Sequence, residues 1–347
     1  MQSSQQKQDA FIAQPLRGGR KQFIQGAVFF FAALTAGMAF SAHAQPDYPS
    51  KPIRLIVPYP PGGSTDAISR LIGSRLSDRL KQPVVIENRG GASEQVASAY
   101  VKGQPADGYT VMLTTMGGMT TNPWLYGERL SYNPQKDFTP VILAVTMPSI
   151  VMVPPDTPAT DIASLTQYFK DSKKPVNYAS AGAGTASHLA MELYKRATGV
   201  QATHIPFRGG APAMQALMAG DTQVMIAIGA ESMPMAKAGK MKALAVTTHG
   251  PSPAFPDLPP VAQTPGLEDF EMPYWYGYVV PAGTPKDIVA KLNKEFDDIL
   301  HEPETSKTLI EMGVDITGGP PERMAQQIES DTTRWGKVIK DAGITID

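Results

Sequence analysis

The chain has 347 residues, 42% hydrophobic and 18% charged, with a formal net charge of −1 and no cysteine. That is material for two packed domains, and the missing thiols exclude thiol catalysis, thiolate metal sites and disulfide staples. Beyond residue 44 no basic run exceeds two residues, which argues against nucleic acid or an anionic membrane surface as a partner.

The first element is an export signal. Arg17, Arg20 and Lys21 precede an apolar run from Gly26 to Phe40, and Ala42-His43-Ala44 offers a small-x-small cleavage site. The run is shorter than the roughly 20 residues a bilayer span needs. Cleavage is expected before Gln45, leaving no stable membrane insertion. Loss of four basic residues and one acidic residue moves the formal charge from −1 to −4. Arg20-Lys21-Gln22-Phe23-Ile24 has Lys where a twin-arginine signal has its second Arg, so Sec and twin-arginine export both stay open.

The strand Ile53–Val57 then runs into Pro58-Tyr59-Pro60-Pro61-Gly62-Gly63-Ser64-Thr65-Asp66 and a helix from Ala67 to Leu80. Prolines fix the approach, the glycine pair frees the backbone, and Ser64, Thr65 or Asp66 can cap the helix. Two readings fit the turn: an anion site on unpaired helix N–H groups, or a tight connection with nothing bound. The strand Val84–Ile86, a helix near Ser93 to Lys102, and strands Tyr109–Thr114 and Val141–Val145 follow. This alternation predicts a mostly parallel sheet covered by helices.

A second α/β series starts at Ile150–Val153. It continues with a helix over Ile162–Lys170, Val176–Tyr178, a helix over Ala186–Ala197, His204-Ile205, a helix over Ala211–Ala219, Val224–Ile228 and Ala243–Val246. Six prolines in Gly250–Gly266 mark a connecting stretch. The strand Tyr274–Val280 and helices near Pro285–Leu300, Glu304–Met312 and Pro321–Asp341 close the chain, and are expected to pack back on the first domain. Two lobes joined by more than one crossing suit hinge closure on a ligand.

Ala179-Ser180-Ala181-Gly182-Ala183-Gly184-Thr185 mirrors the opening turn, so both helix N-termini can grip one acid group. It lacks the third glycine and the later acidic residue of a dinucleotide site. His188 reads either as a hydrogen-bonded structural residue or as a catalyst, and Ser187 has no nucleophile elbow around it. His204, His249 and His301 lack zinc spacing, so no metal and no cofactor is expected. Arg208, in Pro206-Phe207-Arg208-Gly209, reads either as a bidentate carboxylate partner or as a solvated turn residue. In Tyr274-Trp275-Tyr276, alternation sends Trp275 to the opposite face from its neighbours; strand aromatics are usually core, and a cleft role for Trp275 is the second reading.

Ten segments together resemble one family. They are Tyr48–Arg54, Pro60-Pro61-Gly62-Gly63 with Asp66, Val85–Arg89, Ala106–Thr110, Lys136–Pro140, Asn177–Gly182, His188-Leu189, Pro206–Gly209, Leu244–Thr247 and Pro281–Pro285. Taken in order over the whole mature chain, they resemble the substrate-binding receptors of tripartite tricarboxylate transporters, the Bug receptors. The resemblance implies an α/β, type II periplasmic-binding-protein fold: two lobes around a ligand cleft with a hinge. The expected divisions are a signal peptide over 1–44, a first lobe from 45–147 plus 263–347, and a second from 148–262. It implies a monomeric periplasmic receptor, not an enzyme, that binds a small carboxylate for membrane transporter subunits.

The resemblance puts the acid group near Tyr59, Pro61, Gly62, Gly63 and Ser64, with Ser180, Ala181, Thr185 and Phe207 from the facing lobe. Where the family has a glycine-rich turn, this chain has Arg89-Gly90-Gly91-Ala92-Ser93-Glu94-Gln95-Val96. Ser93 and Gln95 are therefore expected at the distal end of the ligand and Glu94 in solvent. Phe207-Arg208 replaces the usual Tyr-Lys. Tyr59, Phe207 and Trp275 suit an aromatic mono- or dicarboxylate; amino acids and citrate-like acids stay open. The rival functions are a sensor presenting a carboxylate signal to a membrane kinase, and an exported serine hydrolase using Ser187 and His188.

Overall fold

The computed structural model describes residues 48–272 and 274–346. The expected signal peptide lies outside the described residues. Strand β1 (Ile53–Val57) is almost wholly buried, as an apolar strand covered on both faces should be. Helix α1 (Ser64–Leu80) buries Ile68, Ile72, Leu76 and Leu80, one row at four-residue spacing. Strand β2 (Val84–Asn88), helix α2 (Gln95–Lys102) and strand β3 (Thr110–Thr115) complete a βαβαβ unit whose strands pair in parallel. A π-helical turn (Gly117–Thr121), α3 (Asn122–Tyr126) and α4 (Pro134–Asp137) then lead to β4 (Phe138–Met147).

The second half runs β5 (Ser149–Val153), α5 (Ile162–Lys170), β6 (Asn177–Ser180), α6 (Ala186–Thr198), β7 (Thr203–Pro206), α7 (Gly210–Ala219), β8 (Met225–Ile228), α8 (Gly229–Lys237) and β9 (Lys242–Val246). The chain ends with β10 (Tyr274–Pro281), α9 (Lys286–His301), α10 (Pro303–Glu311), β11 (Asp315–Ile316) and α11 (Pro321–Asp341).

The six-stranded first sheet has the order β11-β4-β10-β3-β1-β2. Only β1–β2 and β1–β3 are parallel; β10 runs antiparallel to both β3 and β4, and β11 to β4. The expected mostly parallel sheet is therefore corrected to a mixed one. Alternation of strand and helix predicts direction only within one continuous crossover series, and β10 enters after the chain has left and returned. In the second half β8-β5-β9 is antiparallel and β6–β7 parallel, with a bridge between Tyr178 and Val224 joining the two sets.

Helices α9 and α10 pack on α1 as expected, tied by Arg79 of α1, whose Nε donates to Glu295 at 2.6 Å while its other nitrogens reach Asp298 and Glu302. Helix α11 does more. It lies on β4 but also touches α6, with an ion pair between Arg196 and Asp341.

Candidate ligand-binding cleft

Two adjoining cavities, about 430 and 160 Å³, are lined from both halves of the molecule. They share Tyr59, Ser93, Glu94, Thr185, Ala186 and Tyr274. The larger also takes in Ala181, Ser187 and the first residue of α7, Gly210. The N-termini of α6 and α7 therefore open on one space, and the first amides of a helix have no intrahelical partner. Their dipoles favour an anion there.

Of the residues expected in contact with ligand, Tyr59, Ser93, Ala181 and Thr185 line the cleft. Ser180 lies beneath it, fully buried, with its Oγ 2.6 Å from His204 Nε2. Phe207 packs against the second-half core, and its N–H donates to Ser180 O. Pro61, Gly62, Gly63 and Ser64 stand outside both cavities; Ser64 Oγ is 3.0 Å from the Tyr276 hydroxyl. The opening turn is partly satisfied from within, because Gly62 N–H donates to Asp66 at 3.0 Å. The side chains of Arg70 and Asn88 also donate to that carboxylate. The Arg70 bond and the Gly62 amide hold Asp66 down at about 2.

The altered turn and its counterpart hold Gln95, Arg208 and Glu94, and for Glu94 the expectation is corrected. Gln95 is outside both cavities and accepts from Ser131 N–H at 3.3 Å, because it already sits in α2 and points to the loop before α4. Arg208 is exposed on its turn and lines neither cavity, the solvated reading. Glu94 does not face solvent: it is 1% exposed. Ala92, Ser93 and Glu94 all have positive φ, of 45°, 51° and 75°, a strained run that turns the Glu94 side chain inward. Asn122 Nδ2 donates to Ser93 O at 2.7 Å, and the Tyr126 hydroxyl meets Ser93 Oγ at 3.0 Å, so α3 braces this turn.

Inside, Glu94 accepts from the hydroxyls of Tyr59 (3.0 Å), Thr114 (3.0 Å) and Thr115, with the Thr115 amide at 3.4 Å. No cation approaches it among the described residues. Burial raises it to about 7 against the pull of those hydrogen bonds. A β-carbon on Gly118 would overlap the carboxylate, so only glycine admits Glu94 here. Tyr274 lines both cavities while Trp275 is buried, its Nε1–H donating to Asp331 at 2.7 Å. The alternation that turned Trp275 away from its neighbours was the sign that Tyr274 faces the cleft.

The hydrolase pair is not assembled. Ser187 Oγ accepts from Ala181 N–H at 2.9 Å and meets Thr185 Oγ1, while His188 Nδ1 accepts from Gly184 N–H at 3.0 Å. The His188 ring stacks on His204 at 3.8 Å. Burial and this neighbour hold His188 down at about 4, so it braces the Gly182–Thr185 turn in its neutral form. Among the described residues no group of three His, Asp or Glu could hold a metal, and no helix is long and apolar enough to cross a membrane.

Two α/β halves around a cleft into which helix N-termini open define a two-lobed solute-binding protein. The model of the tripartite tricarboxylate transporter family receptor matches residues 68–344, and the chain belongs to that family of solute-binding receptors. It is 36% identical over 292 residues, 84% of this chain and 86% of the relative, to the UPF0065 protein in the tcbD-tcbE intergenic region of Pseudomonas sp. strain P51. Among solved structures, R. palustris Rpa4515 with adipate is 37% identical, with a TM-score of 0.74 over 86% of this chain and 99% of that one. MatC from Rhodopseudomonas palustris with bound malate is 32% identical, with a TM-score of 0.68 over 84% of this chain and all of the other.

Proposed function

We propose that this chain is an exported periplasmic receptor that captures a small organic carboxylate in the cleft and delivers it to a tripartite transporter. The observation that carries this reading is the convergence of the α6 and α7 N-termini, Ala186 and Gly210, on one cavity of about 430 Å³. Backbone N–H donors suit a carboxylate without a fixed cation. Relatives solved with adipate and with malate support the class of ligand. Pro61, Gly62, Gly63 and Ser64 would join the site on closure about the two crossings near Pro148 and Thr247–Met272. There Thr247 N–H donates to Ser149 O at 2.8 Å and Met272 N–H to Thr247 O at 2.9 Å. On this reading the lobes divide at 147/148 and 262/263.

A thermal-shift screen against mono-, di- and tricarboxylates tests the reading. A ligand at 100 times its Kd stabilises by roughly 2.7 kcal/mol, and the melting point should rise for at least one acid. A panel in which no carboxylate raises it sinks the proposal.

A further inference from the structure

The cleft is acidic where an acid is expected to bind. Among the described residues its two cavities are lined by two carboxylates, Glu94 and Glu231, and by no lysine, arginine or histidine. Glu231 Oε2 stands 3.1 Å from the position a β-carbon on Gly210 would take, at the mouth of α7. Around Glu94 the hydroxyls of Tyr59, Thr114 and Thr115 donate inward. Tyr59 and Thr115 line the cleft and, with their one proton given to Glu94, can only accept from a ligand; Thr115 Oγ1 also accepts from the Gly118 N–H at 3.5 Å. The other titratable groups facing Glu94 are the phenols of Tyr132 from the loop before α4, and of Tyr274 and Tyr276 from β10. Burial keeps all of them neutral, so none offsets the charge.

We infer that Glu94 sets specificity at the distal end of the cleft, selecting a monocarboxylate whose second polar group is a hydrogen-bond donor, best an ammonium, over a dicarboxylate. The inference rests on the carboxylate reading above and adds the second end of the ligand. An ammonium against Tyr59 and Thr115 meets oriented lone pairs with the Glu94 charge behind them. A second carboxylate meets repulsion unless Glu94 first takes up a proton. That proton turns the Glu94–Tyr59 hydrogen bond round and frees the phenol to donate to the ligand. The two ligand types are thus linked to protons in opposite senses. Since Glu94 titrates near 7, zwitterion affinity should climb with pH by up to tenfold per unit until about pH 7 and level off above it. Dicarboxylate affinity should fall by up to tenfold per unit above it.

Titration calorimetry on the mature protein at pH 6 and pH 8 decides this with chain-matched probes: adipate, 6-aminohexanoate and hexanoate, and likewise succinate, 4-aminobutyrate and butyrate. The expected result is an amino acid bound at least tenfold more tightly than its matched dicarboxylate at pH 8, with opposite pH trends. In Glu94→Gln that ratio should shrink by tenfold or more and both pH trends should flatten. Glu94→Gly, which suits the positive φ of 75° and removes the side chain, should do the same if the glutamine variant folds poorly. Dicarboxylates bound as tightly as their amino partners at pH 8, with the ratio unchanged in both variants, would overturn the inference and leave the carboxylate reading standing. If no probe binds, hexanoate and butyrate included, this inference falls, and the carboxylate reading is decided by the wider thermal-shift panel.

Discussion

The carboxylate of Glu94 occupies the space that a β-carbon on Gly118 would fill. One residue lies in the turn before α2 and the other in the π-helical turn after β3, so the two turns interlock at the cleft wall. Gly118→Ala should force Glu94 out of its pocket of hydroxyls, destabilising the fold by about 1–3 kcal/mol as an overpacked core does. Tyr59 would lose its acceptor, and the preference for an amino acid over its matched dicarboxylate should shrink with it. Urea unfolding at pH 7 reads the first effect; an unchanged midpoint would show that Glu94 is not where we place it.

His188 and Glu94 give opposite dependences of stability on pH. His188 titrates at about 4 when folded against an ordinary 6.5. Its contribution is present above pH 6.5 and is lost as pH falls toward 4, by about 3 kcal/mol at most. Glu94 is raised to about 7 from 4.5. Its contribution is complete below pH 4.5 and declines as pH rises to 7, by a similar amount. The two should nearly cancel between pH 4.5 and 6.5. In Glu94→Gln the stability should climb with pH across that window, and in His188→Asn it should descend. Melting curves at half-unit steps check this; parallel profiles in the two variants would refute it.

Asp66 is the keystone of the opening turn. Asp66→Ala strands the Gly62 amide and frees Arg70 and Asn88, which should cost about 1–3 kcal/mol. Asp66 is held at about 2, below 3.8, so its contribution is present above pH 3.8 and disappears as pH falls through 2. The variant should therefore lose stability at pH 6 while the cost vanishes near pH 2. Denaturant titrations at both values give the comparison.

Trp275→Phe should leave Asp331 with Gln327 as its remaining side-chain donor, at 3.0 Å. An under-satisfied buried carboxylate costs about 1–3 kcal/mol. Because Trp275 faces away from the cleft, ligand affinity should stay within about twofold, whereas Tyr274→Ala should weaken it at least tenfold. An affinity loss in the tryptophan variant that matched its tyrosine neighbour's would contradict the assignment of faces.

The sequence carried the elements well where periodicity and capping agree. Helices Ile162–Lys170 and Pro321–Asp341 begin and end where the apolar spacing puts them. Helix α8 escaped notice because Pro234 lies inside it and its apolar residues form no stripe. The direction of β10 was not legible, since a strand's apolar alternation is the same whichever way it runs. At the site, Ser93, Ala181, Thr185 and Tyr59 came from turns that the pattern of glycine, proline and small polar residues marks. Glu94 was misplaced because a glutamate at a helix start ordinarily faces water. Its inward course depends on three consecutive left-handed residues and on a glycine 24 positions later, a relation no local pattern encodes.

Strand β10 lies between β3 and β4 in the middle of the first sheet, yet it is synthesised after the whole second half. A nascent chain that has reached residue 260 holds β1 to β4 with a gap at their centre, so the sheet cannot close. Folding of this half must wait for nearly the full length, the reverse of the usual order in which N-terminal units fold first during synthesis. Pairings this distant in sequence also make folding slow. The molecule is thus a late folder by topology: its first sheet is completed by a strand that leaves the ribosome almost last.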